Sequence, residues 1–220
     1  MVSIDNTAER CPLCAGDTYF FHEDVVRLYH RCVTCKLVFV SQQFHVTSER
    51  EKEEYDLHEN SCHDEGYLKF LSRFSDPFVK KLGYRQRGLD FGCGPAPALA
   101  GLIRQYGHSV ALYDPLYTND RTVLEKKYDF ISATEVVEHF RCPDKEFTQL
   151  FQMLVPGGYL GLMTKMVKDV AAFKTWHYIR DLTHIAFYSK DTFAYIAWRF
   201  GAHVNFTADD VIFLQKNVQN

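Results

Sequence analysis

The sequence predicts an α/β fold built on a mostly parallel sheet, preceded by a small metal-stabilised module. Three observations predict it. From Gly88 onward, short β-type runs alternate with helical ones, the pattern of βαβ units. Four of the seven cysteines fall in two C-x2-C pairs near the N-terminus. The 220 residues, 46% hydrophobic and 24% charged, suffice for one core of ordinary size plus an appendage, not for two large domains.

Taken in chain order, residues 1–44 read as a zinc ribbon. Cys11-Pro-Leu-Cys14 and Cys32-Val-Thr-Cys35 make C-x2-C-x17-C-x2-C, so each pair presents two thiolates from a tight turn and four sulfurs can close a tetrahedron. Such a site has no open coordination position, and its expected role is structural Zn²⁺ binding. The pattern of residues 11–40 is otherwise loop-rich and strand-poor. His30 is a rival ligand by position, read here as an ordinary strand residue. Cys62, Cys93 and Cys142 are isolated, and an odd count with these spacings is not a secreted disulfide framework.

Residues 45–84 read as a helical linker or lid. They are charged and helix-like from 46 to 82, and the stretches 55–60 and 66–71 mix aromatic with polar groups. The expectation is that they cover a ligand site, with Tyr67 near the cofactor and His58 and Asn60 as further candidates.

Residues 85–220 form the expected main domain. Strands are predicted at 88–91, 109–113, 128–133, 159–164, 202–206 and 211–215, with helices at 98–106, 144–154 and 190–200 and a helix-like opening at 135–140. In such a fold the ligand sits at the carboxyl ends of the strands. Asp90-Phe91-Gly92-Cys93-Gly94-Pro95-Ala96 follows a predicted strand and precedes a predicted helix, the context in which small residues let backbone approach a ligand. Twenty residues after Gly94, Asp114 ends the second strand, where a carboxylate can accept both ribose hydroxyls. A dinucleotide dehydrogenase would show G-x-G-x-x-G, and the sixth position here is Pro97.

These residues resemble motifs I and II of the class I S-adenosylmethionine (SAM)-dependent methyltransferases. Asp129-Phe130-Ile131 with Glu138-His139 resembles their fourth strand, and Leu154-Val155-Pro156-Gly157-Gly158 the turn before their fifth. The resemblance spans residues 88–215 and implies a Rossmann-like fold with a mostly parallel seven-stranded sheet. It departs from the family pattern at Ala96, where a third glycine is usual. Cofactor contact is expected from Tyr67, Asp90, Gly92, Cys93, Gly94, Asp114, Thr134 and Glu135. The short stretch from Asp114 to Lys127 leaves the third strand unplaced and offers Thr118, Asn119 and Asp120 as adenine contacts.

Glu135, Glu138 and His139 stand at i, i+3 and i+4, which on a helix puts two carboxylates and an imidazole on one face. This E-x-x-E-H resembles the ubiquinone-pathway O-methyltransferases and the small-RNA 2′-O-methyltransferases. The resemblance implies a divalent site for Mg²⁺ or Mn²⁺ at Glu135, Glu138, His139 and His184. In the other reading, the family's Glu-His pair works without metal, His139 serving as base or positioning group. Catalytic roles are expected of Glu138, His139 and His184. The aromatic and polar stretch 175–184, His177 included, is expected to shape acceptor specificity.

A zinc ribbon before such a core also resembles the C-methyltransferases of nucleotide-linked deoxysugars, over the front and the core only. The leading expectation is methyl transfer from SAM to oxygen or carbon of a small hydroxylated acceptor. The alternatives are a metal-dependent RNA 2′-O-methyltransferase and a zinc-ribbon adapter with a non-catalytic fold. A formal net charge of -3 with scattered lysines and arginines speaks against nucleic acid. Met1 to Arg10 has no apolar signal core, and no apolar run approaches the ~20 residues that cross a bilayer, so a cytoplasmic location without membrane contact is expected. The sequence carries no signal for an oligomeric state.

Overall fold

The computed structural model describes residues 9–57 and 64–218. His58, Asn60 and Cys62 lie outside the described residues.

The ribbon is richer in strand than the sequence pattern suggests. Strands β1 (Thr18–Glu23) and β2 (Leu28–Cys32) run between the two cysteine turns, and β3 (Val38–Val40), just past the second, completes an antiparallel meander. The alternation that marks a strand is broken at a register shift between Phe20 and His22, which hides the period from the sequence. After each C-x2-C pair the chain turns sharply, with Ala15 and Lys36 in the left-handed region at φ 55° and 62°. The sulfurs of Cys11 and Cys35 lie 3.4 Å apart and those of Cys14 and Cys32 3.3 Å apart.

Helices α1 (Ser48–Asp56) and α2 (Glu65–Val79) follow. Each starts on a side-chain cap, Thr47 accepting from the Arg50 N–H and Asp64 from the Tyr67 N–H. The α2 helix buries Leu71, Phe74, Phe78 and Val79, an apolar stripe at helical spacing.

The remaining elements are β4 (Arg87–Phe91), α3 (Ala98–Arg104), β5 (Ser109–Tyr113), β6 (Tyr128–Thr134), α4 (Pro143–Met153), β7 (Leu154–Met163), α5 (Val170–Lys174), β8 (Ala186–Phe187), α6 (Lys190–Arg199), β9 (Ala202–Phe206) and β10 (Val211–Lys216). The main sheet runs β5-β4-β6-β7-β10-β9. Strands β5, β4, β6 and β7 are parallel neighbours, and β10 is antiparallel to both β7 and β9.

Among the described residues this sheet has six strands, one fewer than the seven implied by resemblance. A crossover to another parallel strand takes about a dozen residues before the strand itself begins. The chain between Asp114 and Lys127 instead makes a bridge from Asp114 to Thr118 and a 3-10 turn at Arg121–Glu125, leaving β5 at the edge. A second correction concerns 135–140, where no continuous helix forms. Glu135 is left-handed at φ 53° and only a 3-10 turn covers Val137–His139.

The ribbon does not stand apart. Strand β8, from the segment after β7, pairs antiparallel with β3, so the small sheet is β1-β2-β3-β8. Cys11, Leu13, Cys32, Cys35, Leu37 and Phe39 share one buried cluster with Phe147, Tyr188 and Phe193 of the main domain. Arg199 of α6 donates to the Leu13 carbonyl at 2.8 Å, and the Asp144 N–H of α4 to the Pro12 carbonyl at 3.3 Å.

Candidate active site

Two groups of side chains gather at the carboxyl ends of β4, β5 and β6. The first surrounds the β4–α3 turn. Gly92 and Gly94 take φ of 74° and 63°, which a side chain disfavours. The N–H groups of Gly92 and Cys93 donate to the Tyr113 carbonyl at 2.8 and 3.1 Å, tying the turn to the end of β5. Asp114 continues that tie. Its carboxylate accepts from the N–H groups of Gly94 at 3.0 Å, Leu116 at 2.8 Å and Tyr117 at 3.1 Å. A Cβ added at Gly94 would meet nothing within 4 Å, so this turn faces open space and can admit a ligand against bare backbone.

Asp90 lies beneath the turn, fully buried, with Ser132 Oγ donating to Oδ1 at 2.9 Å. Burial pushes its carboxyl up to about 6. Tyr67 of α2 is brought to the same place, its phenol raised first by burial and then by the Asp90 and Glu135 carboxylates nearby. Cys93 is half-buried, and burial lifts its thiol to about 11. Among the adenine candidates, Asp120 is committed to capping, accepting from the Thr122 N–H at 3.0 Å and hydroxyl at 2.7 Å. Thr118 bridges to Asp114 through backbone, and Asn119 is exposed.

The second group lies past the end of β6. Thr134 ends that strand opposite Met163, and the Glu135 N–H donates to the Met163 carbonyl at 2.8 Å. Glu138 is fully buried; one carboxylate oxygen accepts from the Tyr178 hydroxyl, while Oε2 has no partner among the described residues. Both imidazoles are held by main-chain carbonyls. His139 Nδ1 meets the Thr183 carbonyl at 3.1 Å and His184 Nδ1 the Tyr178 carbonyl at 2.8 Å. With Nδ1 as donor in each ring, Nε2 remains as the acceptor or ligand atom. Burial, with His139 beside it, holds His184 below the usual histidine range and therefore neutral at physiological pH.

Ligand atoms of Glu138, His139 and His184 lie within 4.8 Å of one another. Of the four expected ligands, Glu135 lies outside that triad. Its left-handed backbone breaks the helical face the spacing implied, although its carboxylate comes within 3.5 Å of the Tyr178 hydroxyl. Burial and then the neighbouring Glu138 push the Glu135 carboxyl up to about 8. His177, expected to help shape acceptor specificity, is exposed and 2.7 Å from Lys165 Nζ. Tyr178 is the functional candidate that sequence reasoning missed. Its hydroxyl lies 3.2 Å from Thr164 Oγ1 and serves Glu138, forty positions away along the chain; only the aromatic density of 175–184 pointed toward it. Tyr55 of α1 stands edge-on to His139, ring centres 5.2 Å apart.

The four-cysteine cluster is a third, separate group, with its ligand sulfurs within 4.8 Å of one another. That spacing suits a tetrahedron of bonds about 2.3 Å long. Hydrogen bonding from Cys35 lowers Cys11 to about 6, while burial raises Cys14 to about 11. His30 stands against Phe39, ring centres 5.9 Å apart, and is not in the cluster.

A search of curated proteins finds no match. Among solved structures, the chain is similar to Burkholderia thailandensis 1,6-didemethyltoxoflavin-N1-methyltransferase with bound 1,6-didemethyltoxoflavin and S-adenosylhomocysteine. The TM-score is 0.54 at 14% identity, covering 91% of this chain and 99% of that one. It is also similar to an O-methyltransferase family protein from Burkholderia thailandensis, with a TM-score of 0.52 at 15% identity over 77% of this chain. It spans 64% of that protein's length. At such identities the likeness shows the fold alone. The family model described as Methyltransferase domain matches residues 62–205, which hold both groups of site residues apart from the ribbon, and the chain belongs to that methyltransferase family.

Proposed function

We propose that the chain transfers the methyl group of SAM to an oxygen, or a carbon made nucleophilic by a neighbouring hydroxyl, of a small hydroxylated acceptor. The observation that carries this reading is the juxtaposition of an open glycine turn, tied to Asp114, with the Glu138, His139 and His184 cluster beyond the next strand. Backbone at Gly92 to Gly94 fits the amino-acid part of such a cofactor, and Asp114 its ribose hydroxyls; the space above Gly94 admits it. When bound, SAM supplies an electrophilic methyl on a sulfonium. His139 Nε2 takes the acceptor proton, its ring fixed by the Thr183 carbonyl. With SAM bound, the methyl would pass to the acceptor atom and S-adenosylhomocysteine would be the leaving product.

A second reading is favoured by the buried, unpartnered Oε2 of Glu138. A divalent cation, Mg²⁺ or Mn²⁺, held by Glu138, His139 and His184 would satisfy that oxygen and lower the pKa of a bound acceptor hydroxyl. The carbonyl partners behind both histidines are the usual support for such ligands. Four thiolates of the ribbon would hold a separate structural Zn²⁺, and α1 with α2 would act as the lid.

The test is transfer of labelled methyl from SAM to panels of phenols and sugars, after removal of loosely bound divalent ions and again with Mn²⁺ restored. Transfer lost in His139→Ala supports the base reading when Mn²⁺ has no effect, and the metal reading when Mn²⁺ is required. No transfer to any panel member, together with salt-sensitive RNA methylation, would replace the small acceptor with RNA.

A further inference from the structure

Arg27 closes the β1–β2 turn of the ribbon, a turn built by Asp24, whose Oδ1 accepts from the N–H groups of Val26 and Arg27 at 2.7 Å each. Val25 and Val26 at the tip are exposed, yet Arg27 is only 2% exposed. It is driven inward against the segment that carries Tyr178 and His184. Nη1 donates to the carbonyls of Asp181 at 3.2 Å, Leu182 at 3.3 Å and His184 at 3.0 Å, and Nη2 donates to that of Ile179. The guanidinium also lies over the Tyr29 ring, 5.4 Å from its centre.

Four carbonyl oxygens converging on one buried point repel one another unless a cation with several fixed donors sits among them. A planar guanidinium meets that requirement, and an ammonium meets it less well. The anchored residues bracket the site. Ile179 follows Tyr178, which serves Glu138; His184 offers its own carbonyl to Arg27 while its ring is held by the Tyr178 carbonyl. The next residue, Ile185, donates its N–H to the Glu138 carbonyl at 2.9 Å and accepts from the Val40 N–H of β3 at 2.9 Å. Strand β8 then joins the ribbon sheet.

We propose that Arg27 is a positioning residue through which the four-cysteine ribbon sets the geometry of Tyr178 and His184. The ribbon is in this sense a wall of the active site. The idea rests on the methyl-transfer reading only in identifying Tyr178 and His184 as site residues.

The test uses the full zinc-loaded chain with Arg27→Lys and Arg27→Met. Amide hydrogen exchange over 177–187 should rise on the order of tenfold in Arg27→Met and by less in Arg27→Lys, with 88–113 unchanged. In long-range proton–nitrogen spectra, His184 should show the Nδ1–H tautomer in the wild type and a tautomer mixture in Arg27→Met, partly restored in Arg27→Lys. Affinity for S-adenosylhomocysteine should stay within about twofold, since the cradle lies on other elements. Unchanged exchange and an unchanged tautomer in both variants overturn the proposal, as does a rise spread equally over 88–163. If Arg27→Met does not fold with zinc, Arg27→Lys decides by the same two readouts. Loss of S-adenosylhomocysteine binding in the wild type would instead count against the methyl-transfer reading.

Discussion

Asp114 anchors three main-chain N–H groups with one buried carboxylate, and the Gly94 turn is among them. Asp114→Ala should therefore loosen the turn as well as remove the ribose acceptor. Two lost charge-assisted bonds of about 1.5 to 2 kcal/mol each predict a loss of S-adenosylhomocysteine affinity of roughly a hundredfold or more by calorimetry. Asp90 yields a pH prediction. Its folded value near 6 exceeds the ordinary carboxylate value, so between about pH 4 and 6 the folded state binds more protons than the unfolded chain. Stability falls as pH rises through that window, and the deficit is complete above it. Asp90→Asn should flatten this slope and stabilise the protein at pH 8 by about 2 to 3 kcal/mol in denaturant titrations. Tyr178→Phe removes the hydroxyl that Glu138 receives and should destabilise by about 1 to 3 kcal/mol in the same assay. Of these residues, Asp90, Gly94 and Asp114 were legible in the sequence because a strand, a tight turn and a strand end are local events. Tyr178 was not, because its role is fixed only when the chain returns to β6.

The elements divide the same way. All six strands predicted from 88 onward form, because buried β-type runs between helical ones leave little choice of register. Seven strands were expected from resemblance, and the length of the Asp114–Lys127 stretch is what forbids the seventh. The E-x-x-E-H spacing suggested a helical face, but Glu135 leaves β6 in the left-handed region and aims the next residues into a 3-10 turn. In the ribbon, a register shift and turns set by cysteines concealed three strands. A test of element packing is Gly161→Ala. An added Cβ would come 2.6 Å from Phe74 Cζ and 2.7 Å from Phe78 Cε2, forcing α2 off β7. Overpacking of this kind predicts a loss of about 1 to 3 kcal/mol, read from thermal unfolding.

At the scale of the molecule, the ribbon and the methyltransferase domain share one core cluster and one sheet edge. Zinc removal by a strong chelator should therefore reach the His184 segment as well as the ribbon, raising hydrogen exchange in both before the cradle strands respond; exchange confined to residues 11–40 would contradict this coupling. That the cysteine module was readable from spacing and the domain type from resemblance, while their fusion into one core was not, reflects the long sequence separation between β3 and β8. No helix among the described residues is long and apolar enough to cross a membrane. In the proposed function, the Gly92–Gly94 turn and Asp114 hold SAM beside the Glu138, His139 and His184 cluster. Its most direct test is calorimetric titration of zinc-loaded protein with S-adenosylhomocysteine, for the wild type and Asp114→Ala. The expected result is one site of roughly micromolar affinity, weakened in the variant at unchanged zinc content. No binding to folded, zinc-loaded wild type, or equal affinity in the variant, would contradict it.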